Sequence, residues 1–116
     1  MPAIERFGSG ARMSEMVAYG DMLYLAGQVA DDTSLDISGQ MAQVLANIDA
    51  LLAEAGSDKT KMLRCNIWLK DINDFAAMNG VWDKWVDKAH LPARATVESA
   101  LATPAYLVEV MVTAVR

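Results

Sequence analysis

Apolar residues recur at helical spacing in two stretches of the chain and in short clusters elsewhere. From Asp36 to Ala55, the residues Ile37, Met41, Val44, Leu45, Ile48, Leu51 and Leu52 fall on one stripe, which predicts an amphipathic helix stopped by Gly56. A second helix is predicted over Asp74 to Lys88, with Asn73 as its cap and a stripe of Phe75, Met78, Trp82 and Trp85 flanked by Val81 and Val86. Pro92 lies beyond its end and cannot continue it. Apolar runs bounded by turn residues predict strands over Ile4–Phe7, Glu15–Tyr19, Met22–Ala26, Met62–Leu69, Arg94–Leu101 and Leu107–Val115. Gly20-Asp21 reads as a hairpin turn between the second and third.

The resulting order is strand, strand, strand, helix, strand, helix, strand, strand. It predicts an α+β layer in which two helices cover one face of a single sheet. In Met22–Ala26 and Leu107–Val115 apolar residues occupy both parities, so both faces of the sheet are expected to be buried. Two helices cannot cover both, and a homo-oligomer is expected.

Composition narrows the function classes. The 116 residues fit one domain, residues 1–116, and 53% apolar with 22% charged residues is a globular balance. A net charge of -5 offers no basic footprint for nucleic acid. The amino terminus has no secretory pattern and no apolar run is long enough for a membrane span, so a cytoplasmic location is expected. With one cysteine and one histidine, the usual His/Cys metal sites are not available within a chain. Cys65 reads as a packed thiol and His90 as a solvated loop residue. Gly8-Ser9-Gly10 precedes a strand rather than a helix, which weakens a phosphate-loop reading.

The candidate chemistry lies in the last two strands. Arg94 heads one, and Glu109 sits in the other inside the apolar run Leu107, Val108, Val110, Met111, Val112. An ionised group there is costly without a matched partner. One reading pairs Arg94 and Glu109 around a small anionic molecule; the other makes them a cross-strand ion pair stabilising the sheet by roughly 0.2–1 kcal/mol.

Several segments resemble the Rid/YjgF family of reactive intermediate deaminases. They are Gly27-Gln28, the helix end Glu54-Ala55-Gly56, Leu69 to Phe75 with Met78-Asn79, Pro92-Ala93-Arg94 with Val97-Glu98, and Val108-Glu109 through Arg116. The stretch from Asn79 to Val86 and the compact loop after Gln28 look more like the YoaB-type subgroup than like the archetypal enamine/imine deaminase. The resemblance implies a chorismate-mutase-like fold, a single mixed sheet assembled as a homotrimer with ligand clefts between subunits. It implies hydrolysis of 2-imino or 2-enamino acids to 2-oxo acids and ammonia, without metal or organic cofactor.

On the matching positions, Arg94 would grip the substrate carboxylate, Glu109 would orient water or manage protons, and Thr96 stands where many relatives carry cysteine. Gly27 would lie close to the ligand, and Asn79 and Met13 would complete the substrate site, Met13 replacing a tyrosine common in the family. Arg12 is expected to add positive charge favouring a dicarboxylate-derived imine. Two other readings compete: a regulatory module binding small carboxylates in the same clefts, and a nucleic-acid or protein partner role, which the acidic balance disfavours.

Overall fold

The computed structural model describes residues 2–116. Its strands are β1 (Ile4–Phe7), β2 (Met16–Tyr19), β3 (Met22–Leu25), β4 (Met62–Leu69), β5 (Ala93–Glu98) and β6 (Val108–Val115). Its α-helices are α1 (Ile37–Glu54) and α2 (Phe75–Trp85). All strands join one sheet in the order β1-β2-β3-β6-β4-β5. Only β4 and β5 pair in parallel. The mixed sheet with two helices expected from the sequence is therefore present.

Local chemistry explains the boundaries. Gly20 takes φ 60° at the first central position of the β2–β3 hairpin, a conformation glycine adopts without strain. Asp36 caps α1 by accepting from the Gly39 N–H at 2.9 Å. At the other end Gly56 takes φ 77°, and the Ser57 N–H reaches back to the Leu52 carbonyl at 2.8 Å, the six-to-one bond of a Schellman ending.

The second helix differs from its expected limits. Asn73 is not its cap: Asp71 accepts from the Asn73 N–H at 2.9 Å and starts a short 3-10 turn, Ile72–Asp74, that leads into α2. Asp74, the residue before α2, makes no side-chain capping bond. The helix ends at Trp85 rather than Lys88 because Val86 turns extended. Strand β5 stops at Glu98, short of Leu101, and β2 begins at Met16.

Each helix is a crossover linking strands that run the same way, which a hairpin cannot do. Helix α2 joins the parallel neighbours β4 and β5, while α1 carries the chain from β3 past the position later filled by β6. Both lie on one face, where Met16, Leu23, Leu45, Ile48, Ile67, Met78 and Val110 form part of one buried cluster. The opposite face presents Tyr24, 48% exposed, Met111, 37%, and Val97, 50%. The expected two-sided apolar character is real, but in the single chain the second face lies open. No helix among the described residues is long and apolar enough to cross a membrane.

Candidate functional site

Register decides which side chains can meet. In the β4–β5 pair Arg94 lies beside Cys65, Thr96 beside Ile67, and Glu98 beside Leu69. Cys65, Ile67 and Leu69 are core residues under the helices, so Arg94 and Thr96 also point to the helix-covered face. Glu109 of β6 lies opposite Trp68, one residue out of phase with Ile67 and Leu69, and so points to the open face. Strand β4 also runs between β5 and β6. Within one chain, Arg94 and Glu109 neither form the cross-strand ion pair nor face a ligand together. The pairing within one chain is ruled out by register, since Glu109 falls one residue out of phase with the β4 residues that flank Arg94 and Thr96, which puts the two on opposite faces.

The candidate residues therefore fall into two groups. Around Arg94 is a cleft of about 370 Å³ lined also by Asn79, Trp82, Asp83, Val86, Lys88 and Leu91. Phe75, Asn79 and Trp82 recur at four- and three-residue steps on α2, which brings them onto one helical face. The Arg94 guanidinium carbon lies 5.2 Å from the Trp82 ring centroid and 6.0 Å from that of Phe75. Arg94 makes no ion pair among the described residues. Glu98 does not sequester it, because its Oε1 accepts from the Ile72 N–H at 3.0 Å. The Asn79 Oδ1 and the Thr96 Oγ1 are both buried without a hydrogen-bond partner. Unpartnered buried polar atoms are uncommon and costly, and these two lie on the side of the sheet that carries Arg94, while a third, the Asn66 Oδ1 of β4, lies on the open face.

Directly beside Arg94, Cys65 is the packed thiol expected. Burial pushes its pKa up to about 12, against a weaker opposite pull from the Arg94 charge. It is not a nucleophile. His90 is a solvated residue 3.2 Å from the Asp87 carboxylate. Bonds from the Ala89 N–H and then from His90 hold the Asp87 carboxyl below its ordinary range.

On the other side of the sheet, the Gln28 N–H donates to the Val110 carbonyl at 2.7 Å, and the Val110 N–H returns the bond at 3.0 Å. This fixes Gly27 against Glu109: a Cβ built on Gly27 would overlap the Glu109 Oε2 and come 2.9 Å from its Cδ. Glycine keeps that carboxylate accessible. Gly27 and Met13 also line a cavity of about 530 Å³ with Glu15, Gln28, Val29, Asp31 and the side of α1. The Gln28 Nε2 donates to the Glu15 Oε2 at 3.1 Å. The wall near Met13 therefore carries the carboxylates of Glu15 and Asp31, and Arg12 does not line it.

The sequence brought out Arg94, Thr96, Asn79, Gly27, Glu109 and Met13 but treated Trp82 and Phe75 only as core. Their spacing around Asn79 was the available signal. Trp82 is buried, whereas Phe75 is 41% exposed. Among the described residues no three His, Cys, Asp or Glu side chains cluster to hold a metal ion.

The sequence profile of a family described as Endoribonuclease L-PSP matches residues 3–116. The RutC family protein YoaB of Escherichia coli K12 is 43% identical over 111 residues, 96% of either chain. Among solved structures, NMB1025 of Neisseria meningitidis, described as a member of the YjgF protein family, is 46% identical with a TM-score of 0.96, covering 98% of this chain and 95% of that one. Rv2704 of Mycobacterium tuberculosis, of the YjgF/YER057c/UK114 family, keeps a TM-score of 0.88 at 26% identity, over 98% of this chain and 100% of its own.

Proposed function

Because the chain belongs to the Rid/YjgF family, whose profile carries the description Endoribonuclease L-PSP, we propose that it is a cytosolic homotrimeric hydrolase converting 2-imino and 2-enamino acids to 2-oxo acids and ammonia without a cofactor. The observation that carries this reading is the Arg94 guanidinium, which has no carboxylate partner and shares its face with the unpartnered Asn79 Oδ1 and Thr96 Oγ1. A planar guanidinium matches a carboxylate through parallel N–H donors. The α-imino group of the same substrate carries an N–H, for which the Asn79 Oδ1 is an acceptor.

The remaining part of the site comes from a second copy of the chain. Glu109 and Gly27 lie on the opposite face of the sheet from Arg94, so one protomer supplies only half of the chemistry. The apolar open face supports an association that brings Arg94 of one copy to Glu109 of another. There Glu109 orients water toward the C=N carbon and accepts its proton as the C–O bond forms. It returns that proton to the imine nitrogen to give the neutral carbinolamine, then carries the hydroxyl proton to the same nitrogen as the C–N bond breaks, so that ammonia leaves and the 2-oxo acid remains; an enamino acid first tautomerises to the imine. Imines hydrolyse slowly unaided, so positioning supplies enough: about 1.4 kcal/mol gives each tenfold in rate.

The test generates imino acids with an amino-acid oxidase and follows their disappearance. Wild-type protein accelerates the loss over buffer, and R94A does not, while the oligomer persists. An R94A variant as fast as wild type rejects the assignment. Thermal stabilisation by a 2-oxo acid without any acceleration makes the protein a carboxylate-binding module instead. RNA cleavage that R94A abolishes replaces the reading with a ribonuclease, which the net charge of -5 disfavours.

A further inference from the structure

We infer that Trp82 and Phe75 are positioning residues that hold the Arg94 guanidinium for its ligand; this rests on the carboxylate-binding role proposed for Arg94. Arg94 is half-buried, and no carboxylate forms an ion pair with it among the described residues. What lies against it is aromatic: the Trp82 ring centroid is 5.2 Å and the Phe75 centroid 6.0 Å from its central carbon. Ring faces stabilise a cation through their quadrupole. They accept none of its N–H bonds in the way an oxygen would.

That difference is the physical point. An aspartate or glutamate at these positions would fix Arg94 equally well but would occupy the donors that a substrate carboxylate needs. Two aromatic rings limit where the cation can go and leave its donors unclaimed. The spacing that brings this about is local, since Phe75 and Trp82 lie two turns apart on α2 with Asn79 between them. One short helix thus presents an aromatic ring, an amide and a second aromatic ring toward β5. Phe75 is 41% exposed, whereas Trp82 is buried and closes the inner end of the cleft.

The ring positions set ground-state binding of the carboxylate, so their loss raises KM and leaves kcat nearly unchanged. The experiment measures 2-oxobutanoate binding by titration calorimetry, together with KM and kcat for imino acid hydrolysis, in W82F, W82L, F75L and R94A. W82F keeps a ring and binds within about threefold of wild type. W82L binds about tenfold more weakly and F75L about threefold more weakly, with F75L melting as wild type does.

Equal weakening in W82F and W82L makes Trp82 a matter of volume and overturns the inference, as does wild-type affinity in W82L. If W82L fails to fold, F75L decides alone, and an unchanged affinity there is a refutation. R94A separates the levels. If it still binds 2-oxobutanoate, the carboxylate role of Arg94 is wrong; if R94A loses binding while W82L and F75L keep it, only the aromatic hold is wrong.

Discussion

Helices α1 and α2 pack on the same face of one sheet, and each carries an amide with a buried side-chain oxygen, yet the two amides are treated in opposite ways. Gln40 on α1 is saturated. The two hydrogens of its Nε2 are shared among the carbonyls of Thr33, Leu35 and Ala105 at 3.3, 3.1 and 3.0 Å, and its Oε1 accepts from the Leu107 N–H at 3.0 Å. Asn79 on α2 leaves its Oδ1 buried and unpartnered, and Thr96 on β5 does the same with its hydroxyl. The first arrangement ties the loop before β6 to the helix and has nothing left for a ligand. The second has bonding capacity that the fold does not use. The two amides differ in what is left over: Gln40 has spent its bonds on the fold, whereas the Asn79 Oδ1 has not.

The contrast extends along each helix. Helix α1 is capped at both ends and buries Met41, Val44, Leu45, Ile48 and Leu52 beside Gln40. Helix α2 has no side-chain cap and buries only Met78 and Trp82. Buried apolar side chains are concentrated on α1, while Asn79 of α2 and Thr96 of β5 carry buried polar atoms without partners.

Substitutions test this division in descending order of effect. Gln40→Ala strips partners from the Leu107 N–H and three carbonyls and leaves a cavity, and should cost about 2–5 kcal/mol in urea unfolding. Cys65 tests how dry the floor beside Arg94 is. Its folded-state pKa of about 12 lies above the ordinary 9.0, so the neutral thiol is favoured by the fold. Its contribution is full below pH 9 and is lost as pH rises from 9 toward 12, because the unfolded chain ionises first. Stability of the wild type relative to Cys65→Ala should fall there by up to about 1.4 kcal/mol per pH unit. A flat difference across that window would mean that water reaches the thiol.

Smaller effects compare the helix ends and the amides. Asp36→Ala removes a real capping bond and should cost about 1 kcal/mol, whereas Asp74→Ala should stay within about 0.5 kcal/mol. Asn79→Ala should change stability by less than about 1 kcal/mol, since its Oδ1 bonds to nothing, yet it should weaken substrate handling. A destabilisation equal to that of Gln40→Ala would erase the distinction between the two amides.

Much of the framework was legible in the sequence, for local reasons. The α1 stripe, Gly56 and the Met62–Leu69 strand depend on periodicity and turn chemistry within a few residues. The entry to α2 was misread because Asp71, Asn73 and Asp74 all suit capping, and only the geometry shows that Asp71 takes the bond. The site residues were legible one by one, but their grouping was not. Which face Arg94 and Glu109 occupy depends on β6 pairing with β3 on one edge and β4 on the other, contacts between residues far apart in the chain. A shift of one residue in either register would have reversed the result.

The central claim is that Arg94 and Glu109 act together only when they come from different copies of the chain. Co-expression of R94A with E109Q, each inactive alone, tests it most directly. Random mixing should restore the intact combination at roughly a quarter of the sites, with a matching recovery of imino acid hydrolysis. Co-assembled oligomers that stay as inactive as either parent would contradict the account.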